Sequence, residues 1–177
     1  MVVTRVDKHT VSPNNSYFFD TNVWIFIYGP IAGTDKKKQS VYSSLLKDIQ
    51  SRNAAIFVSS LVLSEYINAV LRMGFAQWKR VTGNRNADFK RDYRSTEDYK
   101  VTLEDAVLQV EEILKVCIKR PDDFHIININ SVLASMNQDA DYNDAYYIKD
   151  CEKQNMKFVS DDSDIQNVND AITLITA

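Results

Sequence analysis

Four carboxylates fall where apolar runs give way to polar sequence, and these residues are the best placed in the chain to do chemistry. Asp20 interrupts "YFFDTNVWIF" (17–26) and is followed at once by Thr21 and Asn22. Glu65 lies just beyond "AAIFVSS", Asp144 lies in "DYNDAYYIKD", and Asp162 follows "MKFVS", with Ser160 before it and Asp161 and Asp164 around it. Singly, each has an ordinary explanation. Acids favour helix N-termini, where the dipole and capping stabilise them, and Asn143 is a candidate N-cap for a helix carrying Asp144. Asp20 is harder to dismiss, because burying an uncompensated carboxylate is expensive. Carboxylates gathered at one place repel, and at least one takes up a proton with a raised, coupled pKa unless a cation intervenes. The only histidines are His9 and His125, and Cys117 and Cys151 lie far apart without a CxxC spacing. The donor set is therefore oxygen, which selects Mg²⁺ or Mn²⁺ over zinc. No Ser/His/Asp or Cys/His constellation supplies a side-chain nucleophile, so water is the attacking group such a site would use.

The elements that must position these acids can be read from periodicity. Residues 1–15 read as a polar arm ending at the turn-like "SPNN". "SYFFDTNVWIFI" reads as a strand covered on both faces, and "TDKKKQSVYSSLLKDIQSR" as a helix with Val41, Leu45, Leu46 and Ile49 on one face. "AAIFVSS" is a second strand running into a helix at "LVLSEYINAVLRMGF". A long helical middle, about 78–118, is closed by Pro121. "DFHIINI" is a third strand, "SVLASMNQDADYNDAYYIKDCEKQN" one or two short helices, "MKFVSDD" a fourth strand and "AITLITA" a fifth. Strands separated by helices predict an α/β fold: a mainly parallel sheet of four to five strands flanked by helices, three-layered and Rossmann-like. The domain occupies residues 16–177, with an extended helical middle segment. Right-handed crossovers put the strands' C-terminal ends, and the acids after them, on one edge.

Composition is ordinary for a globular domain: 177 residues, 45% hydrophobic and 25% charged. No apolar run approaches the length that spans a bilayer, and "MVVTRVDKHTVSPNNS" lacks an apolar signal core, so a cytoplasmic protein without a membrane partner is expected. The net charge of −3 conceals an asymmetry. Between Arg72 and Arg94 seven cations face two acids, whereas from Asp139 to the end nine acids face three lysines. Arg72, Lys79, Arg80, Lys90, Arg91 and Arg94, interleaved with Phe75, Trp78, Phe89 and Tyr93, are candidates for contacting RNA phosphates and bases. An ordinary solvated helix explains the cations equally well, and aromatics at helical spacing are more often core.

"FFDTNVWI", "VSSLVLSEYINAV" and "DYNDAYYIKDCEKQNMKFVSDDSDI" together resemble the ordered acidic motifs of the PIN domain, the metal-dependent ribonuclease fold of VapC-type toxins. The resemblance spans residues 17–176. It implies an endoribonuclease in which Asp20, Glu65, Asp144 and Asp162 are the catalytic, metal-binding acids, Asn22 and Ser160 support them, and Asp141 or Asp161 could substitute for a neighbour. It also implies Mg²⁺ or Mn²⁺ as cofactor, RNA as substrate, an antitoxin protein as partner and homodimerisation. The helical middle is longer than in simple toxins of this type. A haloacid dehalogenase-type phosphotransferase needs a second aspartate where Asn22 stands, and a receiver module orders its acids differently. A non-catalytic PIN-like module binding RNA or protein remains the alternative.

Overall fold

The computed structural model describes residues 1–30, 33–138, 140–163, 165 and 172–177. Asp164 lies outside the described residues. The strands are β1 (Val2–Arg5), β2 (Ser16–Phe19), β3 (Ala55–Val58), β4 (Ile118–Lys119), β5 (Lys157–Val159) and β6 (Thr173–Thr176). The helices are α1 (Thr21–Tyr28), α2 (Lys36–Ser51), α3 (Ser60–Thr82), α4 (Glu97–Val116), α5 (Ile129–Ser135) and α6 (Tyr142–Gln154).

The strands form one parallel sheet in the order β1-β6-β5-β2-β3-β4. From β2 the chain works outward to β3 and β4, then returns to the other side of β2 for β5 and β6. The strand order therefore reverses at β2/β5, the place where open parallel sheets bind ligands. Helices cover the sheet, and its central strands are buried: Tyr17, Phe18, Phe19, Phe158, Val159 and Leu174 are all at 0% exposure.

Three expectations need correction. The apolar run after Asp20 is helix α1 rather than a continuation of β2. Both readings bury the run, since Val23, Trp24, Ile25 and Ile27 are all in the core, and a helix buried all round shows no amphipathic period. The break lies at Asp20, whose backbone carbonyl accepts from the amides of Val23 (3.1 Å) and Trp24 (3.3 Å). The strand placed at "DFHIINI" is instead β4, a few residues earlier. The Asp122 carboxylate accepts from the Phe124 amide at 3.2 Å, and the Asp123 carbonyl from those of Ile126 and Ile127, a local bonding pattern that competes with a sheet ladder. The polar arm contains β1, paired in register with β6 from Val2↔Thr173 to Arg5↔Thr176, which brings the strands to six.

The helical middle is an α3–α4 hairpin with a π-helical turn at Phe89–Tyr93. Gly74 sits inside α3 because α4 crosses there. A Cβ at that position would lie 2.6 Å from both the Thr102 methyl and the Tyr93 hydroxyl. Phe75, Trp78, Phe89 and Tyr93 pack their rings on one another at 5.4–6.2 Å between centroids, so the interleaved aromatics staple the hairpin. Among the described residues no helix is long and apolar enough to cross a membrane.

Candidate active site

Asp20 is the N-cap of α1, at the exit of β2, and only 6% of it is exposed. Its amide donates to the Val159 carbonyl at 2.9 Å, continuing the β2/β5 ladder by one residue. Ser160, the first residue after β5, donates its hydroxyl to Asp20 Oδ2 at 2.7 Å. Asn22 Nδ2 donates to the same oxygen at 2.5 Å and to Ser160 Oγ at 3.1 Å, while Asn22 Oδ1 accepts the Asp161 amide at 3.1 Å. Asn22 thus ties the loop after β2 to the loop after β5. Burial pushes the Asp20 carboxyl up to about 7; the Ser160 hydrogen bond opposes this, and the charges of Asp144 and Glu65 add to it.

Glu65 reaches the same place from the second turn of α3, beyond β3. Thr21 donates its hydroxyl to Glu65 Oε2 at 3.0 Å, Asn143 its amide to Oε1 at 2.5 Å, and Tyr147 its hydroxyl to Oε2. Three donors from α1 and α6 leave this carboxylate one of its roughly four lone-pair positions. Thr21, Asn143 as a Glu65 partner, and Tyr147 were missed by the reading of the sequence. Asn143 and Tyr147 are four residues apart and so share a helix face, a signal visible once α6 is assigned. Burial and the bond to Glu65 raise the Tyr147 hydroxyl pKa far above its usual value.

Asp144 stands at the third position of α6. The N-cap is Asp141, correcting the assignment to Asn143: its Oδ1 accepts the amides of Asn143 and Asp144, and Asp144 Oδ2 accepts the Asp141 amide at 3.1 Å. This reciprocal box uses the Asp141 carboxylate to close the helix end, an arrangement typically worth about 1 kcal/mol. Burial is also the main cause that lifts the Asp144 carboxyl to about 6; the Asp141 amide opposes it, and the charges of Asp141, Asp162 and Glu65 reinforce it. Asp162 follows β5, with its amide donating to Ser160 Oγ at 3.1 Å. Asp161 turns the other way: its Oδ1 accepts the Tyr42 hydroxyl at 2.8 Å, and its Oδ2 pairs with the Lys38 ammonium.

Asp144 and Glu65 act electrostatically on Asp20, and Glu65 and Asp162 on Asp144, at the edge where the strand order reverses; Asp141 in addition caps α6, and Asp161 pairs with Lys38. Among the described residues no group of three His, Cys, Asp or Glu side chains is arranged to hold a metal ion directly. The chemistry of the donor set does suit one. Asp20 and Asp144 have carboxyls raised first by burial and then by the charges of neighbouring acids, and among the described residues no lysine or arginine pairs with Asp20, Glu65 or Asp144. Oxygen donors of this kind fit a hard divalent cation held partly through water.

The basic residues lie farther along the hairpin. Arg72, Lys79 and Arg80 are on α3, Lys90 and Arg91 in the π-helical turn, and Arg94 just after it. Arg91 is bound to Asp92 at 2.8 Å, and Arg94 lies over the Tyr99 ring at 5.8 Å.

Acids without a cationic partner among the described residues thus stand at the switch point of a parallel α/β sheet, the place where such sheets bind ligands. The PIN domain family model matches residues 17–171, and the chain belongs to that family. PIN domains are typically nucleases, hydrolases that generally use divalent metals. No curated relative matches the chain.

Proposed function

We propose that this chain is a Mg²⁺- or Mn²⁺-dependent endoribonuclease of the VapC type that hydrolyses RNA phosphodiester bonds. The observation that carries the reading is Asp20: a residue only 6% exposed, oriented by Ser160 and Asn22, feeling the charges of Asp144 and Glu65, and with no cationic side chain to compensate it among the described residues. Asp20, Asp144 and Asp162 would hold the ion, with Glu65 acting through its remaining lone pair or an intervening water. A bound ion supplies positive charge for the developing negative charge of the phosphodiester and lowers the pKa of water so that it can attack. Ser160 and Asn22 fix the Asp20 carboxylate before substrate arrives, and Thr21, Asn143 and Tyr147 do the same for Glu65. That preorganisation is where such sites obtain their electrostatic advantage. By the same family likeness, an antitoxin protein is its partner and a homodimer its working form.

That no direct three-residue cage stands among the described residues favours one rival, a PIN-like module that binds RNA without cutting it. Incubation with single-stranded RNA separates the two. Cleavage that needs Mg²⁺ or Mn²⁺, stops with chelator, and falls at least about a thousandfold in Asp20→Asn and Asp144→Asn is the expected result. Wild-type rates in both variants would overturn the assignment.

A further inference from the structure

We infer that one face of α3 is a track for a single-stranded RNA backbone, running from Glu65 past Arg72 to a phosphate-binding pocket formed by Lys79, Arg80, Gly83 and Arg85. The ligand class rests on the ribonuclease reading; the geometry does not.

α3 is unbroken from Ser60 to Thr82. Glu65, Arg72 and Lys79 are spaced seven residues apart, so they drift only about 20° per step around the helix and lie along one face. At 1.5 Å per residue, Lys79 stands about 20 Å along the axis from Glu65. From Tyr66 to Ala87 the chain contains no acid and four cations: Arg72, Lys79, Arg80 and Arg85. That stretch directly adjoins the acidic edge, so the side-chain charge changes sign along a single helix, with Asp105 of the packed α4 lining a neighbouring cavity beside Arg80.

The pocket at the far end has a volume of about 320 Å³ and is lined by Lys79, Arg80, Gly83 and Arg85. α3 ends on Gly83 with φ +71°, the left-handed region that favours glycine. The Arg85 amide then donates to the Gly83 carbonyl at 3.0 Å, a tight reversal that brings Arg85 beside the helix end. Lys79 and Arg80 are held by neutral groups. Lys79 Nζ sits 4.7 Å from the centre of the Phe75 ring, and Arg80 donates to the Gln77 amide oxygen. Among the described residues neither they nor Arg85 has a carboxylate partner, in contrast with Arg91 on Asp92 and Lys100 on Glu97. The C-terminal end of a helix repels anions, so a site there needs concentrated positive charge, and this pocket has three cations. A phosphodiester group fits their chemistry: guanidinium forks and an ammonium, oriented but not neutralised.

The test uses the full chain in chelator and two end-labelled single-stranded oligoribonucleotides, one long enough to cover the track and one too short to reach the pocket. For the long RNA, Lys79→Gln/Arg85→Gln is expected to weaken binding about tenfold and to flatten the slope of log affinity against log salt by about 0.7 per lost phosphate contact. The short RNA should bind the variant as it binds the wild type. With Mg²⁺ added, KM on the long RNA should rise while kcat holds. If both lengths are affected equally, or neither is, the track is overturned. If wild type cuts RNA and the variant keeps wild-type affinity and slope, the track fails and the ribonuclease reading stands. If wild type shows the length dependence but never cuts, the ribonuclease reading fails and the track stands. If the variant loses binding to polyglutamate and keeps RNA binding, the pocket serves an acidic protein, which also overturns the proposal.

Discussion

Helix α6 carries two groups of carboxylates, and they are neutralised in opposite ways. At its N-terminus, Asp144 joins Asp20, Glu65 and Asp162 on the sheet edge. Two turns further along, Asp150 is buried at 4% exposure beside Arg120, whose guanidinium lies 3.2 Å from Asp150 and pairs also with Asp123. Gln154 donates to Asp123 at 2.6 Å, and the Tyr146 hydroxyl donates to Asp122. Burial pushes the Asp150 carboxyl up to about 6, with Asp123 and Asp122 adding to the push and Arg120 opposing it. One group carries its cation in the sequence; the other has none among the described residues and, under the proposed function, is completed by a divalent ion. A cluster of acids is therefore not informative in itself; what distinguishes the sheet edge among the described residues is the missing counter-charge.

The largest effect expected from breaking this contrast is at Arg120. Replacing it by methionine leaves Asp150 buried without a cation and the half-buried Asp123 with the Gln154 amide alone, a loss typically of about 3–5 kcal/mol. Urea unfolding should show that loss equally in chelator and in Mn²⁺, because the ion does not serve this cluster. A loss cancelled by Mn²⁺ would mean that the two groups of acids are not independent.

Asp20 should behave in the reverse sense. Its folded-state carboxyl, raised from 3.8 to about 7, favours the protonated form. The sign follows from linkage: the stabilisation is complete below the unfolded pKa and is lost as pH rises through the folded value. Metal-free protein should thus lose stability between about pH 4 and pH 7, with Asp144, raised to about 6, contributing in the same direction. Asp20→Asn removes the charge and retains an oxygen that can accept from Ser160. In chelator at pH 8 it should stabilise the chain by about 2 kcal/mol, while abolishing the rise in melting temperature expected of the wild type in Mn²⁺. A destabilised Asp20→Asn protein in chelator would show that Asp20 is a structural residue.

How much of this was legible beforehand differs between strand exits and helix ends. The order of the acids and the α/β alternation follow from apolar runs followed by Asp20, Glu65 and Asp162, because an apolar strand leading into polar residues is a local signal. Helix α1 was not legible, since a helix buried on every side has the same composition as a buried strand. Strand β4 is two residues long, too short for a period to register. The N-cap of α6 fell on Asp141 rather than Asn143 because both residue types cap helices and only the register of the first turn decides between them. The Thr21, Asn143 and Tyr147 contacts to Glu65 join residues 44 to 82 positions apart, a separation that periodicity does not report.

Asp161 tests the contrast most finely, because it lies one residue from Asp162 and already has an internal cation. Lys38 pairs with it from the first turn of α2, and the Tyr42 hydroxyl supplies a second donor at 2.8 Å. The Lys38 side chain is 39% exposed, so solvent screens the pair and its loss is small: Lys38→Met should cost no more than about 1 kcal/mol. Tyr42 remains as a donor, which further limits the effect. The variant also adds one uncompensated carboxylate to the edge without touching Asp20, Glu65 or Asp144. If missing counter-charge governs ion affinity there, Lys38→Met should bind Mn²⁺ more tightly than wild type, by up to about fivefold, as read by calorimetric titration at low ionic strength. The gain should shrink as salt is added, because the interaction is Coulombic and partly exposed. Weaker Mn²⁺ binding in Lys38→Met would show instead that Lys38 positions the β5 loop, and that geometry rather than charge balance sets the site.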